Sequence, residues 1–455
     1  MKRILLALLI CLFIFGCEKE TNKGVVENQQ LVDYECTDCN VVLISIETTR
    51  ADHLGCYGYK KNTTPFIDSI AKGGILFENA FAPQAITWPS VTSMLTSLYP
   101  ISTDVRSQGQ VLDYNKTQTM ASILNSNGYV TAAFLAQFCT AGDYHFNMKS
   151  CGDDAFITDQ AIKWIKKNKD QKFFFWMHYM APHAPYDPPP KYDIFTNKNY
   201  RGIYNGSYES LNNVTLNKIN LSYEDYNHII SLYDGEIFYV DNLIKSVYRS
   251  LENLGLSGKT IVVITADHGE DLYQHNHYFF HACSIYDSSL RIPLIFKLPD
   301  NSYSGRRVDS IVENIDILPT LLDILKIKEH SPFQGNSLLP LFNLDFNDKF
   351  NVALSEYGAS IFTIRTHEWR YIYNPNNITP SGIPEGDYYK VATEELYNHL
   401  IDPNEMLNVV AEYPDIAESL RKKLLNLYKP LTKEIAPSKK TDEKTLEQLR
   451  SLGYL

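Results

Sequence analysis

The sequence predicts an α/β fold in which helices sandwich a large, mostly parallel β-sheet, followed by a small C-terminal α+β subdomain. From residue 40 onward, apolar runs of strand length alternate with amphipathic runs of helical length, which is typical of a parallel sheet with helical crossovers. Beyond about residue 350 this alternation gives way to short strand-like segments. Hydrophobic residues make up 44% of the 455 residues and charged residues 21%, so the chain is expected to be an ordered globular protein.

Single elements can be assigned from these patterns. Segment 40–47, NVVLISIE, is a continuous apolar run of the kind that is buried on both faces of a sheet. A helix is expected over 64–73, because Thr64 can cap it, Pro65 suits its first position and Gly73 can end it. The other predicted strands are 129–135, 172–178, 260–266 and 292–298, and the other predicted helices are 159–168 and 223–255.

The chain is predicted to consist of a main domain, 39–345, a C-terminal subdomain, 346–430, and a tail, 431–455. The tail is polar and is expected to run into a short amphipathic helix. In the subdomain, antiparallel strands are expected within 362–374 and 394–400, and a helix near 414–427.

The N-terminus has the pattern of a secretory signal. Lys2 and Arg3 precede an apolar run that is too short to cross a bilayer. We therefore predict a lipoprotein-type signal peptide over 1–16, lipidation of Cys17 and a polar tether over 17–38. An ordinary signal peptide followed by an incidental cysteine is the alternative. The protein is expected to be exported and anchored to a membrane, in the periplasm or at the cell surface.

Charge and cysteine content restrict the partners and the compartment. The formal net charge of −11 argues against nucleic acid as a partner. Disulfides can form in an exported chain. Cys36 and Cys39 are expected to form either a local disulfide or two thiols, and Cys139 and Cys151 are candidates for bridging a loop.

Acidic and imidazole side chains follow several predicted strands. Glu47 ends the first strand, and Asp267 and His268 follow 260–266. In such folds ligands sit beyond the carboxyl ends of the strands, and two carboxylates with one imidazole suit one divalent ion such as Ca²⁺, Mn²⁺, Mg²⁺ or Zn²⁺. The alternative for Glu47 is an ion pair with Arg50. Further imidazoles expected at this edge of the sheet are His178, His183 and His281.

The segment TWPSVTSMLTS contains two candidate nucleophiles, Thr87 and Ser90. It is predicted to begin a helix, with Thr87 at or near the N-cap and Pro89 in the first turn. The amides and the positive dipole end of that helix would favour an anion near Thr87. The alternative is that Thr87 is only a helix cap.

These motifs resemble the sulfatase family of the alkaline phosphatase superfamily. The resemblance covers seven segments in order from about residue 40 to the C-terminus, among them VVLISIETTRADHLGCYGY, TWPSVTSMLTSLYP, FFFWMHYMAPHAPYDPP and VVITADHGED. It implies a metal-dependent hydrolase that acts on an anionic ester, such as one on a glycan or a lipid headgroup. By this resemblance the nucleophile is Thr87, the ligands of one metal ion are Glu47, Thr87, Asp267 and His268, and the substrate contacts are His183 and His281. Arg50 is expected to be a partner of Glu47 and a further substrate-binding residue.

Two departures from the family pattern affect the expected chemistry. Sulfatases have Cys or Ser at the position of Thr87, in a signature with Arg at the position of Val91, and oxidise that residue to formylglycine. No formylglycine is expected here. Glu47 replaces the usual Asp, and a Glu with a Thr nucleophile is similar to lipoteichoic-acid synthases and phosphoethanolamine transferases. Tyr179 stands where two-metal relatives have an Asp, so one metal is expected.

The threonine favours one reaction type. A threonine ester must be displaced a second time, by water or by an alcohol, which phosphoryl chemistry accommodates. Mechanism therefore favours a phosphoester, whereas the whole-chain resemblance suggests a sulfate ester. The alternatives are a phosphoethanolamine or phosphoglycerol transferase and an inactive surface-binding lipoprotein.

Overall fold

The computed structural model describes residues 34–137, 142–275, 278–329, 331–343, 350–380, 390–431 and 439–440. The compact unit begins at Tyr34 rather than at the predicted boundary of 39. It begins there because Cys36 N donates to Ile324 O at 2.8 Å and Cys36 and Cys39 form a disulfide. The predicted signal peptide, Cys17, most of the tether, Cys139 and most of the tail lie outside the described residues.

The structure contains the following β-strands among the described residues. They are β1 Asn40–Ile46, β2 Ile75–Phe81, β3 Gln110–Val111, β4 Val130–Ala136, β5 Met148–Gly152, β6 Phe173–Tyr179, β7 Thr260–Ala266, β8 Asp271–Leu272, β9 Phe279–Phe280, β10 Arg291–Lys297, β11 Arg306–Glu313, β12 Ala353–Tyr357, β13 Ile361–Arg365, β14 Trp369–Tyr373, β15 Glu394–Asn398 and β16 Lys439–Lys440.

The α-helices lie between many of these strands along the chain. They are α1 Pro65–Lys72, α2 Thr87–Thr96, α3 Pro100–Thr103, α4 Met120–Ser126, α5 Asp154–Asn168, α6 Tyr208–Leu216, α7 Tyr223–Asn253, α8 Asp287–Leu290, α9 Ile317–Ile324 and α10 Pro414–Leu431. Within the described part of the chain, no helix is both long and apolar enough to span a bilayer.

The central sheet has eight strands among the described residues, in the order β11-β2-β10-β7-β1-β6-β4-β5. Seven run in one direction, and β10 is antiparallel to both β7 and β2. Every residue of β1, β6 and β7 is buried, as their continuous apolar sequences require for strands that are covered on both faces. The predicted mostly parallel sheet is confirmed, and the carboxyl ends of β1, β6 and β7 lie side by side.

The helices flank this sheet in two groups, α1, α5 and α7 in one and α2, α4 and α9 in the other. Helix α1 begins at Pro65 after Thr64 and is followed by Gly73, as predicted. Its first amides are satisfied from α7, since Phe66 N and Ile67 N both donate to Asp241. This contact fixes α1 against α7 at the edge of the sheet that carries the site.

The C-terminal subdomain is a four-stranded antiparallel sheet, β12-β13-β14-β15, with α10 packed on β13 and β14. Its core contains Leu420, Leu424 and Tyr428 of α10 together with Tyr371 of β14. The predicted α+β subdomain is therefore confirmed. In the predicted tail, β16 pairs with β3.

Candidate active site

Thr87 is the first residue of α2, and its hydroxyl points to a carboxylate instead of capping the helix. Ile86 is the N-cap residue and makes no side-chain cap. Thr87 Oγ1 donates to Glu47 Oε1 at 2.7 Å and lies 3.4 Å from His268 Nε2. All three side chains are fully buried. The structure therefore brings Thr87 together with two of the predicted ligands.

Ser90, the other candidate in this segment, already uses its hydroxyl in the fold. Ser90 Oγ donates to Asp267 O at 2.5 Å and accepts from Asn314 Nδ2 at 2.9 Å. The hydroxyl therefore ties α2 to the turn that carries Asp267. Of the two hydroxyls, only that of Thr87 faces the carboxylate and imidazole cluster.

The second oxygen of Glu47 is held by His178, at the carboxyl end of β6. His178 Nε2 lies 2.7 Å from Glu47 Oε2, and His178 Nδ1 lies 2.8 Å from Ser45 Oγ. Ser45 Oγ also accepts from Trp176 Nε1 at 2.8 Å. Burial lowers the pKa of His178, which favours the neutral ring. A neutral ring that donates from Nε2 to Glu47 accepts at Nδ1 from Ser45. A row of buried side chains thus orients the Glu47 carboxylate.

Asp267 and His268 come from the turn after β7. Asp267 Oδ1 accepts from Thr48 N at 3.2 Å, whereas Asp267 Oδ2 accepts no hydrogen bond from the described residues and lies 3.2 Å from His268 Nε2. His268 Nδ1 donates to Gly269 O at 2.9 Å, which leaves the lone pair of Nε2 directed into the cluster. One carboxylate oxygen and one imidazole nitrogen therefore face the same point.

This donor set fits a divalent cation. Ligand atoms of Glu47, His268 and His281 lie within 4.8 Å of one another, and so do those of Glu47, His178 and Asp267. Burial raises the pKa of Glu47 to about 8 and that of Asp267 to about 7. Two ionised carboxylates in such a place require a compensating positive charge. Carboxylate oxygens and one imidazole nitrogen are suitable ligands for Mg²⁺, Mn²⁺, Ca²⁺ or Zn²⁺.

His281 and His183 extend the cluster away from the carboxylates. The His281 ring centroid lies 4.5 Å from that of His268 and 5.1 Å from that of His183. His281 Nδ1 lies 3.0 Å from Glu270 Oε1 and His183 Nδ1 lies 2.6 Å from Ala184 O. Burial lowers the pKa of both rings to about 3. Both are therefore neutral at physiological pH and donate through Nδ1.

The predicted contact of Arg50 with Glu47 is wrong. The Arg50 guanidinium pairs with Asp52 at 2.7 Å and donates to Gln274 Oε1 at 2.6 Å and to Glu270 O at 3.1 Å. It pairs in this way because the chain turns after Thr49 and Asp52 lies only two residues further on. Arg50 lines a separate cavity of about 510 Å³, so the structure does not bring it to the cluster around Thr87.

Glu270 and Tyr208 belong to the site and were not predicted from the sequence. Glu270 is fully buried, and it accepts from Tyr186 OH at 3.1 Å as well as contacting His281. Tyr208 OH lies 3.1 Å from His183 Nδ1. Glu270 follows His268 in the motif TADHGED, which is a signal that could have indicated it. Nothing local marks Tyr208, because it lies on α6, far from the strand ends in sequence.

The mostly parallel sheet, with a threonine hydroxyl at a helix start and a carboxylate–imidazole cluster beyond β1, β6 and β7, has the alkaline phosphatase-like fold, which is found in ester hydrolases. The chain belongs to the sulfatase family. The sulfatase family model matches residues 39–327, and the model for the C-terminal region of N-sulphoglucosamine sulphohydrolase matches 275–430.

Relatives with known names support this assignment. The chain is 26% identical to arylsulfatase K of Bos taurus over 430 residues, which cover 80% of this chain and 76% of that protein. It is 23% identical to a sulfatase of Formosa agariphila, with coverage of 88% and 87%.

Two solved structures share the fold. Phosphonate monoester hydrolase of Agrobacterium radiobacter superposes with a TM-score of 0.70, at 20% identity and with coverage of 86% of this chain and 96% of that one. A protein solved in complex with its substrate D-glucosamine-2-N,6-O-disulfate also superposes with a TM-score of 0.70, at 22% identity and with coverage of 87% and 98%.

Proposed function

We propose that the protein hydrolyses an anionic ester through a covalent intermediate on Thr87, with one divalent metal ion, and that the ester is a phosphoester. The observation that carries this proposal is the position of the Thr87 hydroxyl, 2.7 Å from Glu47 Oε1 and 3.4 Å from His268 Nε2 at the start of α2. A hydroxyl beside a base and a helix N-terminus is placed to act as a nucleophile.

Each residue of the site has a proposed role in the reaction. Thr87 Oγ1 transfers its proton toward Glu47 Oε1 and forms a bond to the phosphorus or sulfur atom. His183 and His281 contact the ester oxygens, and an anion beside them favours their protonation, so either can donate a proton to the departing alcohol. Water then attacks the same phosphorus or sulfur atom, its bond to Thr87 Oγ1 breaks, and the Thr87 hydroxyl is restored as inorganic phosphate or sulfate is released. Glu47, Asp267 and His268 would hold a divalent ion, which would supply positive charge near the ester oxygens when bound.

Phosphate is preferred over sulfate on mechanism. A formylglycine hydrate can expel sulfate by elimination, whereas a threonine ester needs a second displacement at the same centre. Phosphoryl groups undergo such double displacement readily when positive charge faces their oxygens. A phosphonate monoester hydrolase and sulfatases share this fold. The fold is therefore compatible with attack at phosphorus or at sulfur.

The test compares Thr87→Ala, Thr87→Ser and Ser90→Ala on 4-nitrophenyl phosphate, bis(4-nitrophenyl) phosphate and 4-nitrophenyl sulfate. We expect Thr87→Ala to lower kcat by about 10³-fold or more and Thr87→Ser to keep measurable turnover. Ser90→Ala is the matched control, since its hydroxyl is turned away from the cluster, and we expect a loss of about tenfold or less.

A covalent adduct provides the second readout. Rapid acid quenching followed by peptide mass spectrometry is expected to show a phosphate ester on Thr87. Full activity of Thr87→Ala, or an adduct on Ser90 instead, would contradict the proposed nucleophile. Faster turnover of the sulfate than of both phosphates would contradict the proposed substrate class.

Transfer to an alcohol is the second candidate reaction, and the pairing of Thr87 with Glu47 favours it. Water and an alcohol differ only in the group that attacks the threonine ester. Adding glycerol during turnover of 4-nitrophenyl phosphate separates the two outcomes. A hydrolase forms inorganic phosphate in proportion to nitrophenol, whereas a transferase forms glycerol phosphate in its place.

We also propose that the protein is exported and attached to a membrane through lipid on Cys17. The support is the sequence pattern of residues 1–17, a basic start, an apolar run and then Cys. Cell fractionation and mass spectrometry of the mature N-terminus test the proposal. We expect Cys17→Ala to release the protein from the membrane fraction, and an unmodified N-terminus at any other residue would contradict it.

A further inference from the structure

A cavity of about 450 Å³ opens beside the catalytic cluster. Its wall includes His183, Tyr208 and Met180, so it begins where His183 ends the row of rings that leads from His268. The metal-site carboxylates themselves are fully buried, whereas His183 retains 8% exposure. A group bonded to the ester oxygen would therefore extend past His183 into this cavity, whose volume suits a small ligand.

The charged side chains that line the cavity are all acidic. Asp153, Asp154, Asp187 and Glu236 contribute to the wall, and no lysine or arginine of the described residues does. None of these four carboxylates forms an ion pair within the described residues, whereas Asp193, on the same segment as Asp187, pairs with Lys198 at 2.6 Å. The cavity thus presents acidic side chains, without a basic side chain opposite them among the described residues, next to a site for an anionic ester.

Two of the four carboxylates are deeply buried while facing this space. Asp154 is 6% exposed and Glu236 is 4% exposed. Asp154 Oδ1 accepts from Met180 N at 2.8 Å, and Glu236 Oε1 accepts from Asp187 N at 2.9 Å. Glu236 Oε2 accepts no hydrogen bond from the described residues. Burial, together with the neighbouring carboxylates, raises the pKa of Glu236 to about 8 and that of Asp154 to about 6. A cation in the cavity would relieve this cost.

We propose that the cavity receives the alcohol part of the substrate and that this part carries an ammonium group, as in an ester of an amino alcohol or an amino sugar. The ammonium donates to Glu236 and Asp187 while the ester group lies at Thr87. This inference rests on the proposed ester hydrolysis and names its substrate class. A second sulfate or phosphate on the substrate would meet carboxylates here, so polyanionic glycans are disfavoured.

The test measures a selectivity ratio. O-phosphorylethanolamine and 2-hydroxyethyl phosphate have nearly the same size and differ in whether an ammonium or a hydroxyl lies at the far end. We expect kcat/KM for the amino ester to exceed that for the hydroxy ester about tenfold or more, which corresponds to about 1.4 kcal/mol. Glu236→Gln and Asp187→Asn each keep the side-chain size and are expected to bring this ratio toward one.

Asp170→Asn is the matched control, because Asp170 lies in the exposed turn between α5 and β6, at the opposite edge of the sheet. We expect it to leave the ratio unchanged. If Thr87-dependent hydrolysis occurs but the wild-type ratio is one or less, or if neither cavity variant changes it, the inference is wrong while the proposed function stands.

If no ester is hydrolysed, the proposed function fails and the cavity is tested by binding alone. Ligand-observed NMR with ethanolamine and ethylene glycol measures occupancy without turnover. We expect ethanolamine to bind in preference to ethylene glycol and to lose this preference in Glu236→Gln. Equal binding of the two alcohols, or binding that Glu236→Gln leaves intact, overturns the inference.

Discussion

His178 Nε2 lies 2.7 Å from Glu47 Oε2, on the carboxylate oxygen that Thr87 does not contact. The imidazole therefore holds Glu47 with its other oxygen toward Thr87 and His268. We expect His178→Ala to weaken metal binding by about 10–100-fold, as loss of a partner behind a metal ligand commonly does. His178→Gln, which can still donate to Glu47, is expected to weaken it less. Titration against a competing chelator measures the affinity.

The control for this change is His367→Gln, at a half-exposed histidine of the C-terminal subdomain, with a side chain that is 41% exposed. Its metal affinity is expected to match that of the unaltered protein. Equal affinity of His178→Ala and the unaltered protein would show that His178 does not position Glu47.

Metal removal is expected to destabilise the protein more at high pH than at low pH. Burial raises the pKa of Glu47 to about 8 and that of Asp267 to about 7 in the metal-free fold, above their ordinary values of 4.5 and 3.8. Below about pH 3 both are largely protonated in folded and unfolded chains, and the cost is absent. As pH rises to 8 the metal-free fold loses stability, whereas a bound cation favours the ionised forms.

Thermal unfolding with and without a chelator checks this expectation. The difference in Tm between the two conditions is expected to be larger at pH 8 than at pH 5.5. A difference that stays constant or shrinks over this range would contradict a metal site built on these two carboxylates.

Glu270 is expected to act through His281. Because His281 Nδ1 donates to Glu270 Oε1 at 3.0 Å, the carboxylate sets which nitrogen carries the proton. Glu270→Gln can present an amide N–H to Nδ1 and disturb that arrangement, so we expect kcat to fall about 10–100-fold and its pH profile to shift, with KM changed less. Steady-state kinetics across pH 5 to 9 measure both effects.

Glu395→Gln serves as the control for Glu270→Gln. Glu395 is also buried and accepts from two tyrosine hydroxyls, Tyr286 at 3.0 Å and Tyr397 at 2.9 Å, but it lies in the C-terminal sheet. The pH profile of kcat for Glu395→Gln is expected to match that of the unaltered enzyme. The role of Glu270 is refuted if both variants change kcat equally without a shift in the profile.

Arg370 links the C-terminal sheet to the main domain. Its guanidinium is fully buried and pairs with Asp287 of α8 and, at 2.6 Å, with Glu405. Removing one partner of a buried pair leaves unpaired charge, so we expect Arg370→Ala to lower the free energy of unfolding by about 3–5 kcal/mol. Denaturant unfolding measures this loss. Arg421→Ala is the control: it removes an exposed pair with Glu418 and is expected to change the free energy of unfolding little. Similar losses of stability in the two variants would contradict the role of Arg370 in linking the C-terminal sheet to the main domain.

Two strands of the central sheet that the sequence failed to predict, β2 and β11, share a physical feature. Strand β2, ILFENAF, contains Glu78 and Asn79, and β11, RRVDSIVE, is charged at several positions. Both lie toward one edge of the sheet, where side chains of a strand reach solvent, so neither has the continuous apolar run that identifies β1, β6 and β7. The direction of β10, antiparallel to its neighbours, also cannot be read from the apolar content of its own sequence.

Within the site, the sequence by itself determined which strand ends carry ionisable groups, because a buried strand is apolar and a carboxylate or imidazole at its end stands out. That sufficed to select Glu47, Asp267 and His268, whereas the segment with Thr87 was selected as a helix start and by the family resemblance. Only the tertiary structure decided that Thr87 rather than Ser90 faces Glu47, that Arg50 pairs with Asp52, and that Glu270 holds His281. These choices depend on hydrogen bonds and charge pairs over a few ångströms between segments distant in sequence, and no local pattern encodes such distances.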